Sequence, residues 1–319
     1  MNDNINSSTF VFVGVRQQLA KYRAYDLAYG GRILGLGTND VQEMAADDKY
    51  LYILSSDVIQ RRQFRDLSLV DTIESEANFD FVDMAIDDSC IYTVEYSSGT
   101  LRLKKREKQN FSLLNTRDFG DIPKAIAVDD TSVYITYTLT WAPSSWIRKL
   151  DKETLEDQCS GGGSGWPYYP RLLTVDESYV YTSTYYVPGG SYIRVFNKSN
   201  LSEAFSKRFS AYTYAISYDA DYFYIGGTSD LGGIRKYRKS DFSCVATGPG
   251  GEASCIVVTD DYLYVAYIDN RMHIVVIKKH NKEDLTIEQS SELPCFPVGL
   301  AKIALGECPV LRAYIINTP

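Results

Sequence analysis

One phrase recurs through this chain and constrains its fold more than any other feature: a short apolar run, an acidic turn, then an aromatic-rich strand. It reads Met44-Ala45-Ala46-Asp47-Asp48-Lys49-Tyr50-Leu51-Tyr52 at its first appearance. Five copies follow, ending on Tyr92, Tyr134, Tyr181, Tyr224 and Tyr264. Counted from Tyr52, the spacings are 40, 42, 47, 43 and 40 residues. A unit of that size cannot bury its own apolar face, so it must stack against copies of itself.

Each unit continues past its tyrosine strand into a third strand with basic residues between apolar ones, as in Ile147-Arg148-Lys149-Leu150, Ile193-Arg194-Val195-Phe196 and Ile234-Arg235-Lys236-Tyr237. A polar turn such as Asp151-Lys152-Glu153-Thr154-Leu155 then leads to a fourth strand. Four strands at this period predict an all-β, seven-bladed β-propeller of four-stranded blades in one domain spanning residues 1–319. The seventh blade is split between the chain ends, about 9–36 plus 297–316. Phe10 to Val13 and the next two strands lack an inner strand, and Val298 to Ala304 matches it. Pairing them closes the ring and removes exposed edges. The run Val310 to Ile316 is left over; it either adds a strand or takes the place of Phe10 to Val13. Small residues in the inner strands (Ala45, Ala85, Ala127, Thr174, Ser217) suit the crowded centre of such a ring.

The units resemble the broad group of propeller repeats that includes pyrroloquinoline-quinone-type and surface-layer YVTN-type blades, which also read aspartate, turn, Tyr-Val strand and a lysine-containing third strand. The chain has no Gly-His with Trp-Asp signature, no Gly-Gly pair in each repeat and no Trp in each blade. The resemblance implies the fold and carries no function.

Composition excludes some partners. A formal charge of -8 repels nucleic-acid phosphates and anionic membranes from the average surface. No apolar run reaches the length of a membrane span, and Met1 to Thr9 has no secretory character, so a cytoplasmic protein is the default expectation, with a virion component or a secreted form left open. The six cysteines form no Cys-x-x-Cys pair and read as free thiols, with a Cys295–Cys308 bridge left open.

No residue set announces catalysis. The acid pairs Asp47/Asp48, Asp87/Asp88 and Asp129/Asp130 recur at one register of the repeat, which marks turn-forming aspartates. The two histidines, His273 and His280, are too few for a zinc site and lie at an outer strand. Ser160 to Gly165 lacks the Gly-Lys-Ser/Thr ending of a phosphate loop and reads as a flexible connection. No cofactor is expected, although oxygen-only calcium binding in the channel stays open.

Two candidate sites remain. Long loops at 138–145, 158–169 and 183–191 hold or adjoin all three tryptophans, Trp141, Trp146 and Trp166, together with Tyr168, Tyr169, Tyr185 and Tyr186. Rigid rings on loops suit binding surfaces, and they equally suit packing of their own loops. The second candidate is the channel mouth, where Glu43, Asp83, Lys124, Arg171 and Tyr214 precede the inner strands. The favoured expectation is a non-catalytic module recognising a protein or glycan through the aromatic rim. The alternatives are a channel-centred hydrolase or lyase, and an attachment or structural component of a virus or cell surface.

Overall fold

Alternating apolar residues bounded by Asx turns give seven antiparallel four-stranded sheets in the computed structural model, which describes residues 10–24, 27–34, 36, 40–64, 66–139, 142–162, 168–186, 189–269, 274–292 and 301–306. Blade 1 runs from Glu43–Ala46 to Leu69–Glu74, blade 2 from Asp80–Ile86 to Leu113–Phe119 and blade 3 from Ile122–Val128 to Asp157–Gly162. Blade 4 spans Tyr168–Val175 to Glu203–Phe209, blade 5 Thr213–Tyr218 to Cys244–Thr247, and blade 6 Glu252–Val258 to Ile287–Glu292. In blade 7 the C-terminal strand Ala301–Gly306 is innermost. It pairs antiparallel with Phe10–Val15, which continues into Gln18–Arg23 and Tyr29–Leu34. Phe10–Val15 is therefore the second strand of the closing blade, and Val310 to Ile316 lies outside the described residues. Among the described residues no helix is long and apolar enough to cross a membrane.

The core is a ring of clusters between neighbouring blades, one joining Tyr52 and Met84 across blades 1 and 2, the next Tyr92, Val94 and Ile135 across blades 2 and 3. A bulky residue closes each cluster from below. The turn between third and fourth strands places Leu27, Leu67, Phe111, Leu155, Leu201, Phe242 or Leu285 at φ between 51° and 62°. Left-handed backbone disfavours a branched or aromatic side chain. Here each side chain packs into the cluster shared with the preceding blade, and that burial offsets the strain. The residues mark a polar turn here but not its left-handed apolar position.

The recurring aspartates are latches between blades. Asp129 accepts the backbone N–H groups of Thr131 and Ser132 through Oδ1 and the Tyr134 hydroxyl through Oδ2, at 2.8, 2.7 and 2.9 Å. Lys198, in the turn of the next blade, completes the set with its Nζ 2.8 Å from Oδ2. The same tyrosine, aspartate and following-blade lysine meet at Tyr52–Asp47–Lys108, Tyr92–Asp87–Lys152, Tyr181–Asp176–Lys239 and Tyr224–Asp219–Lys282. Burial pushes the Asp47, Asp87, Asp129 and Asp219 carboxyls up, but the hydrogen bonds and lysines outweigh it and hold all four below their ordinary value.

Two seams lack the aspartate. In blade 6 Thr259 takes its place, and the Tyr264 hydroxyl donates across the interface to the Ala24 carbonyl at 2.8 Å. At the closing seam the paired inner and second strands are not consecutive in the sequence, Phe12 stands where the other blades have tyrosine, and Phe64 stands where the next blade would carry lysine. The two rings stack with centroids 5.3 Å apart. Losing the acid leaves no partner for a hydroxyl or an ammonium, and both positions are apolar.

Of the cysteines, Cys90 and Cys255 are buried, Cys159 half-buried and Cys244 exposed, and none of the four is in a disulfide among the described residues. Cys295, Cys308 and His273 lie outside the described residues. His280 is fully buried in the third strand of blade 6. Its Nδ1–H donates to the Leu285 carbonyl at 2.9 Å, which leaves Nε2 to accept from the Tyr267 hydroxyl at 3.1 Å. Burial holds this imidazole below its ordinary 6.5, with the Leu285 bond working against the shift. The unfolded chain binds a proton near 6.5 while the folded chain resists it, so the stabilisation is whole above pH 6.5 and is lost as pH falls below it. The unfolding free energy of the wild type from urea titrations is expected to drop between pH 7 and 5 by up to about 1.4 kcal/mol per pH unit, and a His280→Phe variant should show a flatter profile over that window.

Candidate functional site

The rim of the channel is shaped by a repeated irregularity. Where the inner strand begins, its pairing with the second strand slips by one residue in blades 2 to 6, and Val82, Lys124, Arg171, Tyr214 and Ser254 bulge out. A bulged residue leaves the ladder and its side chain is re-aimed. Lys124, Arg171 and Tyr214 thus occupy one register on three consecutive blades.

Glu43 and Asp83 do not share it. They stand one residue later, within the inner strands, and are almost fully buried. Asp83 accepts the backbone N–H of Met84 at 2.8 Å and that of Ile126 on the next blade at 2.7 Å, while Glu43 accepts from Met44 at 3.0 Å. In the sequence these acids precede the same apolar run as the bulged residues, and a one-residue slip changes where a side chain lies. Asp83 is a clamp between inner strands.

The two candidate lists converge on blade 4. The Arg171 guanidinium lies 4.9 Å from the centre of the Tyr185 ring, and Tyr185 stacks on Tyr212, centroids 4.4 Å apart and 7° from parallel. Beneath them the buried Ser183 and Thr213 hydroxyls are bonded to each other, and the Thr213 N–H donates to the Ser191 hydroxyl at 3.1 Å. This polar seam ties the hairpin of blade 4 to the inner strand of blade 5. Burial, then repulsion from Arg171, holds the Lys124 ammonium below its usual range. Burial likewise lowers Arg171 and raises the Tyr214 hydroxyl, the latter also pushed up by Glu252.

The stretches expected as long loops are for the most part long strands. Ser132–Leu139 and Ala142–Asp151 carry the blade 3 hairpin to within two residues of Trp141, and Tyr168 pairs with Tyr186 and Tyr169 with Tyr185 across blade 4. Runs of Tyr and Thr favour extended backbone, so the ladder continues where a loop was expected. Trp146 sits in the third strand of blade 3, half-buried against the cluster shared with blade 2. Trp141 and Trp166 lie outside the described residues. Gly161 and Gly162, expected in a flexible connection, end the outer strand of blade 3. A Cβ on Gly161 would come within 2.7 Å of Leu201, so close packing with blade 4 selects glycine there. Gly163 to Gly165 are outside the described residues.

At the opposite end the channel holds a cavity of about 90 Å³ lined by Ala85, Ala127, Thr174 and Ser217 among others. It has room for a handful of water molecules. Among the described residues, no three His, Cys, Asp or Glu side chains converge to hold a metal ion.

No known protein family matches the chain, and no curated protein matches its sequence. What it shares with solved structures is a fold. It is similar to the computationally designed Ika8 protein, with a TM-score of 0.65 at 10% identity over 97% of this chain and 93% of that one. The Neurospora crassa Pan2 WD40 domain gives 0.66 at 14% over 87% of each chain. The dihydro-heme d1 dehydrogenase NirN, in complex with DHE, gives 0.62 at 11% over 100% of this chain and 75% of that one. Identities this low speak for the propeller alone.

Proposed function

We propose that the chain is a non-catalytic binding module that recognises a protein or glycan on the rim formed by blades 3, 4 and 5. The observation that carries this reading is the stack of Arg171, Tyr185 and Tyr212, which brings an aromatic hairpin and the channel mouth onto one surface. Propellers commonly mediate binding, and aromatic and arginine side chains held in place by neighbours contribute disproportionately to recognition. Trp141, Trp166 and Tyr186 are included in the proposal from the sequence alone, as aromatic residues within or next to the stretches that join these strands.

Panning the protein against a glycan array and a displayed-peptide library is expected to recover one ligand class. A Trp141→Ala/Trp166→Ala/Tyr186→Ala variant should bind it more than about tenfold less well, which corresponds to losing roughly 1.4 kcal/mol or more, with its Tm unchanged. A matching fall in Tm would assign these rings to the core, and no capture from either library would remove the reading.

A further inference from the structure

Lys124 and Arg171 stand at the same bulge on neighbouring inner strands, both half-buried. Among the described residues neither has a carboxylate partner. The segments 140–141, 163–167 and 187–188, which connect the strands on this face, contain no Asp or Glu in the sequence. Elsewhere among the described residues Lys104 lies 2.7 Å from both Glu95 and Glu76, Arg148 lies 3.1 Å from Asp121, and cations without a carboxylate, such as Arg62, Lys149 and Arg235, donate to backbone carbonyls. Two like charges drawn partly out of water repel one another more strongly than they would on an open surface. An anion between them relieves that repulsion.

The groups also suit an oxyanion chemically. Arg171 stays charged whatever its surroundings and presents a planar fork of donors, and the Tyr185 ring on which it rests fixes its plane. Lys124 adds a second cation, and Tyr214 adds a hydroxyl from the third blade. Since the chain as a whole carries a formal charge of -8, anions gain little from its average surface, and a specific response requires such a local pair.

We infer that Lys124, Arg171 and Tyr214 form an oxyanion site, which takes a carboxylate, sulfate or phosphate group of the ligand bound at the rim. The inference rests on the rim reading for its ligand, though the site itself can be probed with simple salts.

The test follows Tm in 20 mM sodium sulfate, sodium phosphate or sodium acetate against sodium chloride of equal ionic strength. For a dissociation constant of about 1 mM, the wild type should gain about 3 °C over chloride with at least one of them. Sulfate and phosphate stabilise any protein surface to some extent, and that part must persist in every variant. Lys124→Gln and Arg171→Gln should each abolish the excess while leaving Tm in chloride unchanged or higher, because one of two repelling charges is gone. Lys124→Arg should retain it. A response to sulfate and phosphate alone identifies a tetrahedral group, and a response to acetate a carboxylate. Equal excess in the wild type and both glutamine variants, or no excess with any anion, overturns the inference. Should Arg171→Gln fail to fold, Lys124→Gln decides. If the aromatic triple variant loses its ligand while the glutamine variants respond like wild type, the rim stands and the oxyanion site falls; the reverse pattern keeps the site and removes the rim.

Discussion

A chain ending before Ala301 is expected to lose its cooperative thermal transition and to aggregate. Ala301–Gly306 pairs residue for residue with Phe10–Val15, and Val11, Phe12 and Val13 on that partner strand are fully buried. Its neighbours on either side are the inner strands of blades 6 and 1, so its loss opens the ring at the one place where two chain ends hold it shut. An unpaired inner edge invites pairing with other chains. Without it the buried Val11, Phe12 and Val13 lose their ladder partner, an effect comparable to the roughly 5–15 kcal/mol that keeps a domain folded. Near-ultraviolet circular dichroism and calorimetry of the truncated chain should show no sharp transition, and a peptide covering 297–319 added in trans should restore one in part. A truncated chain melting like the full one would mean that the ring is not closed this way.

The second large effect is expected at a latch. Asp129→Ala removes the acceptor of two turn N–H groups, of the fully buried Tyr134 hydroxyl and of the Lys198 ammonium at once. Stranding buried donors costs more than the net worth of their bonds, so a loss of about 3–5 kcal/mol is expected in urea unfolding. Asp129→Asn keeps one carbonyl oxygen for the turn but turns an amide toward the lysine, and it should lose about half as much. Thr259→Ala provides the internal comparison. That blade already sends its tyrosine hydroxyl to the Ala24 carbonyl, and the change should cost only about 0.5–1.5 kcal/mol. Equal losses at Asp129 and Thr259 would refute the latch. The lowered carboxyls add a pH signature. Their stabilisation is whole above the ordinary carboxylate value of 3.8 and fades as pH falls below it, so acid unfolding should steepen there in the wild type and less in Asp129→Asn.

Much of this architecture is legible in the residues. Tyr52 and its five successors mark the blade period, and the aspartate five residues before most of them forms a turn whose bonds lie within a few residues. The candidate site is less so. Lys124, Arg171, Tyr214, Glu43 and Asp83 all precede an apolar strand in the sequence; a bulge of one residue separates the first three from the last two, and a bulge has no residue type of its own. The Tyr185–Tyr212 stack joins residues on different blades, and neither local spacing nor composition points to it. One missed signal was present. A lysine opens the turn after the third strand in five successive blades, at Lys108, Lys152, Lys198, Lys239 and Lys282, and its recurrence beside a recurring aspartate is the trace of the latch.

The sequence by itself determined the number of blades, the four strands in each and the closing of the ring by both chain ends, because these follow from patterns repeated within some forty residues and from the need to hide apolar faces. Only the tertiary structure decided that each aspartate is held by a lysine from the next blade, that Asp83 clamps Ile126 instead of lining the mouth, and that Arg171 rests on Tyr185. Those contacts depend on how neighbouring sheets are rotated and where each ladder slips by a residue, and both are set by the packing of whole blades against one another.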